Sequence, residues 1–142
     1  MRFILAVSDD HKIALGNKLP WQIPHDLKWF KMNTYNETVI MGRKTWNTLG
    51  GPLPNRRNIV VSRRKVPGVE TITNIDKVRS FKQAWVIGGS EICTQLWQPG
   101  DFLFLTYVHV TVPNGLPIQL PPLQCLWSKS FDGYTFTINK IK

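Results

Sequence analysis

Cysteine and acidic residues are scarce in this chain. The two cysteines, Cys93 and Cys125, lie far apart, with no Cys-x-x-Cys pair and no histidine beside them. That spacing excludes a thiolate metal centre and a disulfide framework, so no metal is expected and a reducing cytoplasm fits. No apolar run is long: Arg2-Phe-Ile-Leu-Ala-Val7 meets Asp9-Asp10, too short for a signal peptide or a membrane span. The dinucleotide fingerprint Gly-x-Gly-x-x-Gly is absent, as are internal repeats and low-complexity tracts. Acids number 9 against 18 basic residues, a formal net charge of +9. The bases are largely dispersed, and no helix carries the continuous stripe that tracks a phosphate backbone, so nucleic acid is not the expected partner. A basic field attracts a small polyanion equally well.

What is present is an ordinary globular balance, 42% hydrophobic and 19% charged, with six Trp and seven Phe to fill a core. The 142 residues make one domain, 1–142, able to bury roughly two-thirds of its unfolded surface. Short β-branched runs alternate with helical patches, the pattern of an α/β domain with a mainly parallel twisted sheet. Strands are expected at Phe3–Val7, Thr38–Met41, Asn58–Ser62, Trp85–Ile87 and Phe102–Val108. Helices are expected at Pro24–Thr34, Arg43–Leu49 and Ser90–Leu96, with a weak one at Ile75–Gln83. Asp132-Gly133, between two alternating runs, signals an antiparallel C-terminal hairpin within 126–142. Four prolines between Pro113 and Pro122 predict loop there.

Asp26 stands out as an acid inside Leu19-Pro-Trp-Gln-Ile-Pro-His-Asp-Leu-Lys-Trp-Phe30. On a helix begun by Pro24, Asp26 and Phe30 face the same way, and Leu27 widens the apolar surface. Among apolar neighbours the charged form is disfavoured, which suits proton transfer or recognition of a protonated heterocycle. The same placement also suits an acid that braces a loop.

Two segments repeat one design of strand, glycine and helix start: Val39-Ile-Met-Gly-Arg-Lys-Thr-Trp46 and Trp85-Val-Ile-Gly-Gly-Ser-Glu-Ile92. Paired glycines let backbone approach a ligand, or simply make a tight turn. Arg43 and Lys44 oppose the dipole of the helix they open, which makes sense if an anion sits between them. Ser62-Arg63-Arg64 ends a third strand, as a phosphate clamp or as a solvated turn. Pro52-Leu-Pro-Asn-Arg-Arg57 delivers Leu53 and Arg56, as an apolar wall with a carboxylate fork or as a surface loop.

Taken in order, these segments resemble the dihydrofolate reductase family: Ile4-Leu-Ala6, Leu19 to Lys31, Val39 to Trp46, Gly50 to Ser62 with Pro-Leu-Pro-x-Arg, Val86-Ile-Gly-Gly89 and Leu105-Thr106 cover most of 3–108. The resemblance implies NADPH-dependent reduction of dihydrofolate by a cytoplasmic monomer that antifolate inhibitors would target. It implies that Asp26 holds the pterin with help from Thr106, and that Trp21 and Leu19 belong to a loop closing over the site and ordering a water. Ile4, Leu5, Ala6 and the backbone of Ile87 would line the pterin. Leu27, Phe30, Leu49 and Leu53 would sandwich the aminobenzoyl ring, and Arg56 would pair with the glutamate carboxylate. On the cofactor side, Ala6, Ile13, Asn17 and Gly88-Gly89 would frame the nicotinamide and diphosphate. Lys44 and Thr45 would meet phosphates, and Arg43, Ser62, Arg63 and Arg64 the 2'-phosphate and adenine, with Gly42 and Ser90-Glu91-Ile92 completing that wall.

The chain departs from the family pattern in places. Cys93 stands where an aromatic residue is common, Ala14 where glycine is frequent, and Gly115-Leu-Pro-Ile-Gln-Leu-Pro121 replaces a loop that commonly carries Asp-Thr. Activity is expected to survive with altered cofactor affinity. The other class of reading is a reductase fold reused as a basic binding or structural protein.

Overall fold

The computed structural model describes residues 1–14 and 19–142. Strands run in chain order β1 (Arg2–Ser8), β2 (Lys12–Ala14), β3 (Thr38–Gly42), β4 (Arg57–Val61), β5 (Glu70–Ile72), β6 (Ala84–Val86), β7 (Phe102–Val108), β8 (Leu116–Pro117), β9 (Leu123–Phe131) and β10 (Tyr134–Ile141). The helices are α1 (Pro24–Thr34), α2 (Arg43–Leu49) and α3 (Ser90–Leu96), with a 3-10 segment at Ile75–Ser80.

Eight strands form one sheet in the order β5-β4-β3-β6-β1-β7-β10-β9, and β2 pairs with β8 as a separate ribbon. From β5 to β7 the pairing is parallel, and β10 and β9 add antiparallel. The carboxyl ends of β1, β3, β4, β6 and β7 therefore gather along one edge, where ligands of open α/β sheets bind.

Strands covered on both faces read as nearly continuous apolar runs, as in Phe3-Ile-Leu-Ala-Val7. Alternation still sorts the two faces. Phe3, Val7, Leu103 and Leu105 pack with Ile92, Cys93 and Leu96 of α3 and Val78 of the 3-10 segment. Val39, Met41 and Val60 pack on the other face with Trp46 and Leu53. That second face also carries α1, whose Trp29 stacks on Phe136 at 4.7 Å and on Trp127 at 5.8 Å between ring centroids. Such aromatic pairs add about 0.5–1.5 kcal/mol each beyond their buried area.

The three predicted α-helices lie where the sequence places them, and the weak fourth is a 3-10 turn started by the Asn74 side chain accepting from the Asp76 amide. Strands β2, β5 and β8 correct the sequence reading. The first two have only three residues each, too few to show a period. Pro117 sits in a ladder after all, on a two-residue strand whose edge position tolerates it. The hairpin forms as expected around Asp132-Gly133, but β9 begins earlier, at Leu123. Within it Trp127 faces Ile138 and Cys125 faces Asn139, so Leu126 is the extra residue of a bulge.

Candidate active site

The amino end of α1 places the acid. Pro24 occupies the first turn without losing a useful donor, and Ile23 at the cap position offers no side-chain acceptor. With Trp29 stacked on the sheet, Asp26 turns toward β7, where the Thr106 hydroxyl donates to its Oδ1 at 2.8 Å. Ala6 on β1 and Phe136 on β10 flank Thr106 in register. Burial raises the Asp26 carboxyl from its ordinary pKa, and the Thr106 hydroxyl and nearby His25 pull it only partly back. An acid so placed exchanges protons readily and recognises a cationic or N–H-bearing ring.

The same helix carries the opposite end of the site. Residues 26, 30 and 34 recur at helical spacing on one face, and at 1.5 Å per residue Thr34 stands about 12 Å along from Asp26. Thr34 is fully buried, and its Oγ1 accepts from Arg56 Nε at 2.9 Å while donating to Phe30 O. The Arg56 guanidinium lies 5.8 Å from the Phe30 ring centroid, and Nη1 donates to Pro54 O. No carboxylate pairs with Arg56 among the described residues, although burial lowers its pKa, so an anionic guest is favoured there. Asn58 fixes the turn that delivers Arg56, accepting from Leu53 N and donating to Leu53 O and Arg56 O. Leu27 and Leu49 remain 55% and 37% exposed beside this helix-and-turn frame.

At the carboxyl edge the two strand-glycine turns adjoin. Gly42 N donates to Gly88 O at 2.8 Å, and Ile87 N to Ile40 O. Gly88 has φ +135, where side chains are strained, and a Cβ there would stand 3.4 Å from Thr45 Oγ1. Gly42, Thr45, Gly88 and Gly89 thus form one backbone-lined corner. Arg43, Lys44, Arg63 and Arg64 are exposed, and no described carboxylate pairs with any of them. By contrast Arg2, Lys12, Arg57 and Arg79 are all paired with acids. A donor set of unneutralised cations, a hydroxyl and open backbone fits a phosphate-bearing ligand.

Other expected residues fall less directly. Leu5 packs with the Phe3 and Leu105 cluster, so its side chain lies on the face opposite Asp26. Ile92 is buried in that cluster too, leaving its backbone, not its side chain, for a cofactor. Glu91 is exposed and Ser90 half-buried at the start of α3, Ser62 accepts from Arg64 N, and Ile13 packs against the core edge. Ile4 is buried on the Asp26 face, Ile87 packs beside Met41, and Leu19 is exposed. Trp21 buries its Nε1 without a hydrogen-bond partner among the described residues. Asn17 lies outside the described residues.

Several supporting residues escape a reading by motif. Thr34 carried a signal, its spacing from Asp26 and Phe30, whereas Asn58, Asp10 and the His25–Tyr134 pair carried none. Asp10 accepts from the Val112 amide at 3.0 and 3.1 Å, and Lys12 Nζ donates to Val112 O, so the chain after β1 is docked on the segment after β7. Within the Gly115–Pro121 replacement, Leu116 and Pro117 pair with Ala14 and Lys12, and Ile118 N donates to His11 O. Among the described residues no group of His, Cys, Asp and Glu is built to hold a metal, and no helix is long and apolar enough to cross a membrane.

Comparison with known proteins agrees with this geometry. The family profile described as dihydrofolate reductase matches residues 1–126. A dihydrofolate reductase of Haemophilus influenzae is 39% identical over 92% of this chain and 85% of its own length. That of Bacillus subtilis is 37% identical over 75% and 68% respectively, and a dihydrofolate reductase type 3 of Salmonella typhimurium 37% identical over 79% and 73%.

Proposed function

This chain belongs to the dihydrofolate reductase family, and on that premise we propose that it reduces 7,8-dihydrofolate to 5,6,7,8-tetrahydrofolate with NADPH as donor. One dihydrofolate, one NADPH and one proton give tetrahydrofolate and NADP+. The observation that carries the reading is the pairing of a buried, Thr106-bound Asp26 with Arg56 at the far end of the same helix face. That spacing matches a substrate with a hydrogen-bonding bicycle at one end and a carboxylate at the other.

When bound, the nicotinamide supplies the hydride that adds to the pterin C6. The chain's residues do the rest. Asp26 accepts from a ring nitrogen and the exocyclic amino group of the pterin, and its charge raises the basicity of N5. Thr106 fixes the carboxylate rotamer. Trp21 Nε1, buried and unpartnered, is free to hold the water through which N5 gains its proton. Ile4, Ala6 and the carbonyl end of β6 at Ile87 wall the bicycle, while Phe30, Leu27, Leu49 and Leu53 take the aminobenzoyl ring and Arg56 the α-carboxylate. Arg43, Lys44, Arg63 and Arg64, with Thr45 and the open glycines, favour NADPH over NADH because the extra phosphate finds unneutralised cations. Orientation and a dry pocket supply most of the rate gain that the protein itself contributes. The reading carries with it a cytoplasmic monomer whose two thiols are free.

The test is loss of NADPH absorbance on adding dihydrofolate, with Asp26→Asn run beside the wild type. Turnover that collapses in the variant supports the reading; a folded wild type that consumes no NADPH refutes it.

A further inference from the structure

The first turn of α1 carries the acid, yet its cap residue, Ile23, makes no side-chain hydrogen bond. An uncapped first turn frays unless something else holds it. His25, the residue beside Asp26, supplies a hold: its Nδ1 lies 2.7 Å from the Tyr134 hydroxyl at the start of β10. The imidazole is seated edge-on against Phe131 at 4.7 Å and Phe136 at 4.8 Å. Phe136 faces Thr106 across the β7–β10 ladder, and Tyr134 faces Val108 two rungs away. Asp26 and His25 therefore grip the same pair of strands through neighbouring side chains that leave the helix about 100° apart.

Trp29, stacked on Phe136 one turn further on, limits the roll of the helix body; the first turn, which frays most easily, gains its own second hold from His25 beside the Asp26 contact. The roll matters because a carboxylate about 6 Å from the axis moves about 1 Å for every 10°. A displacement of that size in a catalytic group costs up to about a hundredfold in rate.

We propose that His25 is a positioning residue for Asp26, and that the His25–Tyr134 hydrogen bond sets the orientation in which the acid meets Thr106 and the pterin. The proposal rests on the dihydrofolate reading and adds residues that touch neither substrate nor cofactor. The pair is reachable by solvent through a cavity of about 530 Å³ that it shares with Trp21, Gln22, Val108 and Asp132. The charged or titratable groups facing the pair are Asp26 on α1, Asp132 in the hairpin turn, and Lys129 of β9 across the Phe131 ring. Among the described residues no lysine or arginine lines the cavity.

Tyr134→Phe keeps the ring and removes only the hydroxyl; His25→Phe keeps the aromatic seat; His25→Asn restores a polar atom near the Nδ1 position. Expected for Tyr134→Phe is a fall in kcat of about tenfold with KM for NADPH unchanged, and a displaced acid limb of the pH–rate profile. The double variant Tyr134→Phe, His25→Phe should be no slower than either single variant, and His25→Asn should recover at least half of the lost rate. Folate binding without cofactor, followed by tryptophan fluorescence across pH, gives a second readout, since its pH midpoint reports Asp26 directly and should move in Tyr134→Phe. Wild-type kcat and an unmoved midpoint in Tyr134→Phe would overturn the tether, as would additive losses in the double variant. A wild type that binds folate but turns nothing over would instead sink the reductase reading, and the binding midpoint would still decide the tether.

Discussion

Arg56 reaches the site by leaning on Thr34, its Nε donating to the fully buried Oγ1 at 2.9 Å. The hydroxyl in turn donates back to the helix carbonyl of Phe30, so the guanidinium is anchored to the element that carries Asp26 and not only to its own turn. A carboxylate bound by Arg56 and a ring bound by Asp26 would thus be measured against one ruler, the α1 axis.

Thr34→Val keeps the shape and removes the anchor. A hydrogen bond to a charged donor contributes about 1.5 kcal/mol, so KM for dihydrofolate should rise about tenfold with kcat nearly unchanged. Arg56→Leu should cost more, a few kcal/mol, because the charge-assisted pair itself is lost. Steady-state kinetics of both variants check the order; an equal loss would mean that the anchor alone carries the effect.

Asp26→Asn should separate activity from stability. Turnover at pH 7 should fall by orders of magnitude and recover partly in acid, where the substrate arrives already protonated. The fold should respond in the opposite sense. Burial raises the Asp26 pKa above its unfolded value of 3.8, so its stabilising contribution is fully present below 3.8 and is lost as pH rises through the folded value. Removing the ionisable group should therefore raise the melting temperature at pH 7 and leave it close to wild type near pH 3, as thermal melts at the two pH values would reveal.

The double substitution Arg63→Ala, Arg64→Ala should raise KM for NADPH by at least about tenfold, from losing charge-assisted contacts worth about 1.5–3 kcal/mol, and leave KM for NADH unchanged. It should also flatten the dependence of NADPH binding on ionic strength, because exposed cations act through a screened field. Equal effects on both cofactors would place these arginines away from the 2'-phosphate.

Asp10 is held down to about 2 by the Ser8 hydroxyl first, then by the Val112 amide and Lys12. Its contribution is present above the unfolded value of 3.8 and is lost as pH falls through about 2. Asp10→Ala should speed hydrogen exchange at the Val112 amide about fivefold at neutral pH, the equivalent of one net hydrogen bond. Exchange as slow as in the wild type would show that β2–β8 pairing alone docks these segments.

The helices and long strands were legible in the sequence because their patterns run for many residues: Pro24 to Thr34 shows a start signal and a periodic face, and Phe102 to Val108 is long and apolar. Asp26, Thr106 and Arg56 are singled out as candidates through motif resemblance, and the structure brings the first two into direct contact. What stayed hidden depends on partners distant in sequence. Lys12–Ala14 becomes a strand only because Leu116–Pro117 lies beside it, and His25 becomes notable only when Tyr134 arrives on β10. Leu5 shows the converse: its position beside Ala6 suggested the pterin wall, but alternation along β1 sends its side chain to the α3 face.

The bulge at Leu126 bears on how this molecule behaves in a crowded solution. β9 is the long outer strand of the sheet, and its free backbone would offer a template to any extended chain. An unmatched residue partway along it bends the strand and breaks the register that a newcomer would have to follow. Deleting Leu126 would straighten that rim, and the expected result is a protein that still folds but sheds its solubility, growing ordered aggregates from an edge that the bulge now keeps barren.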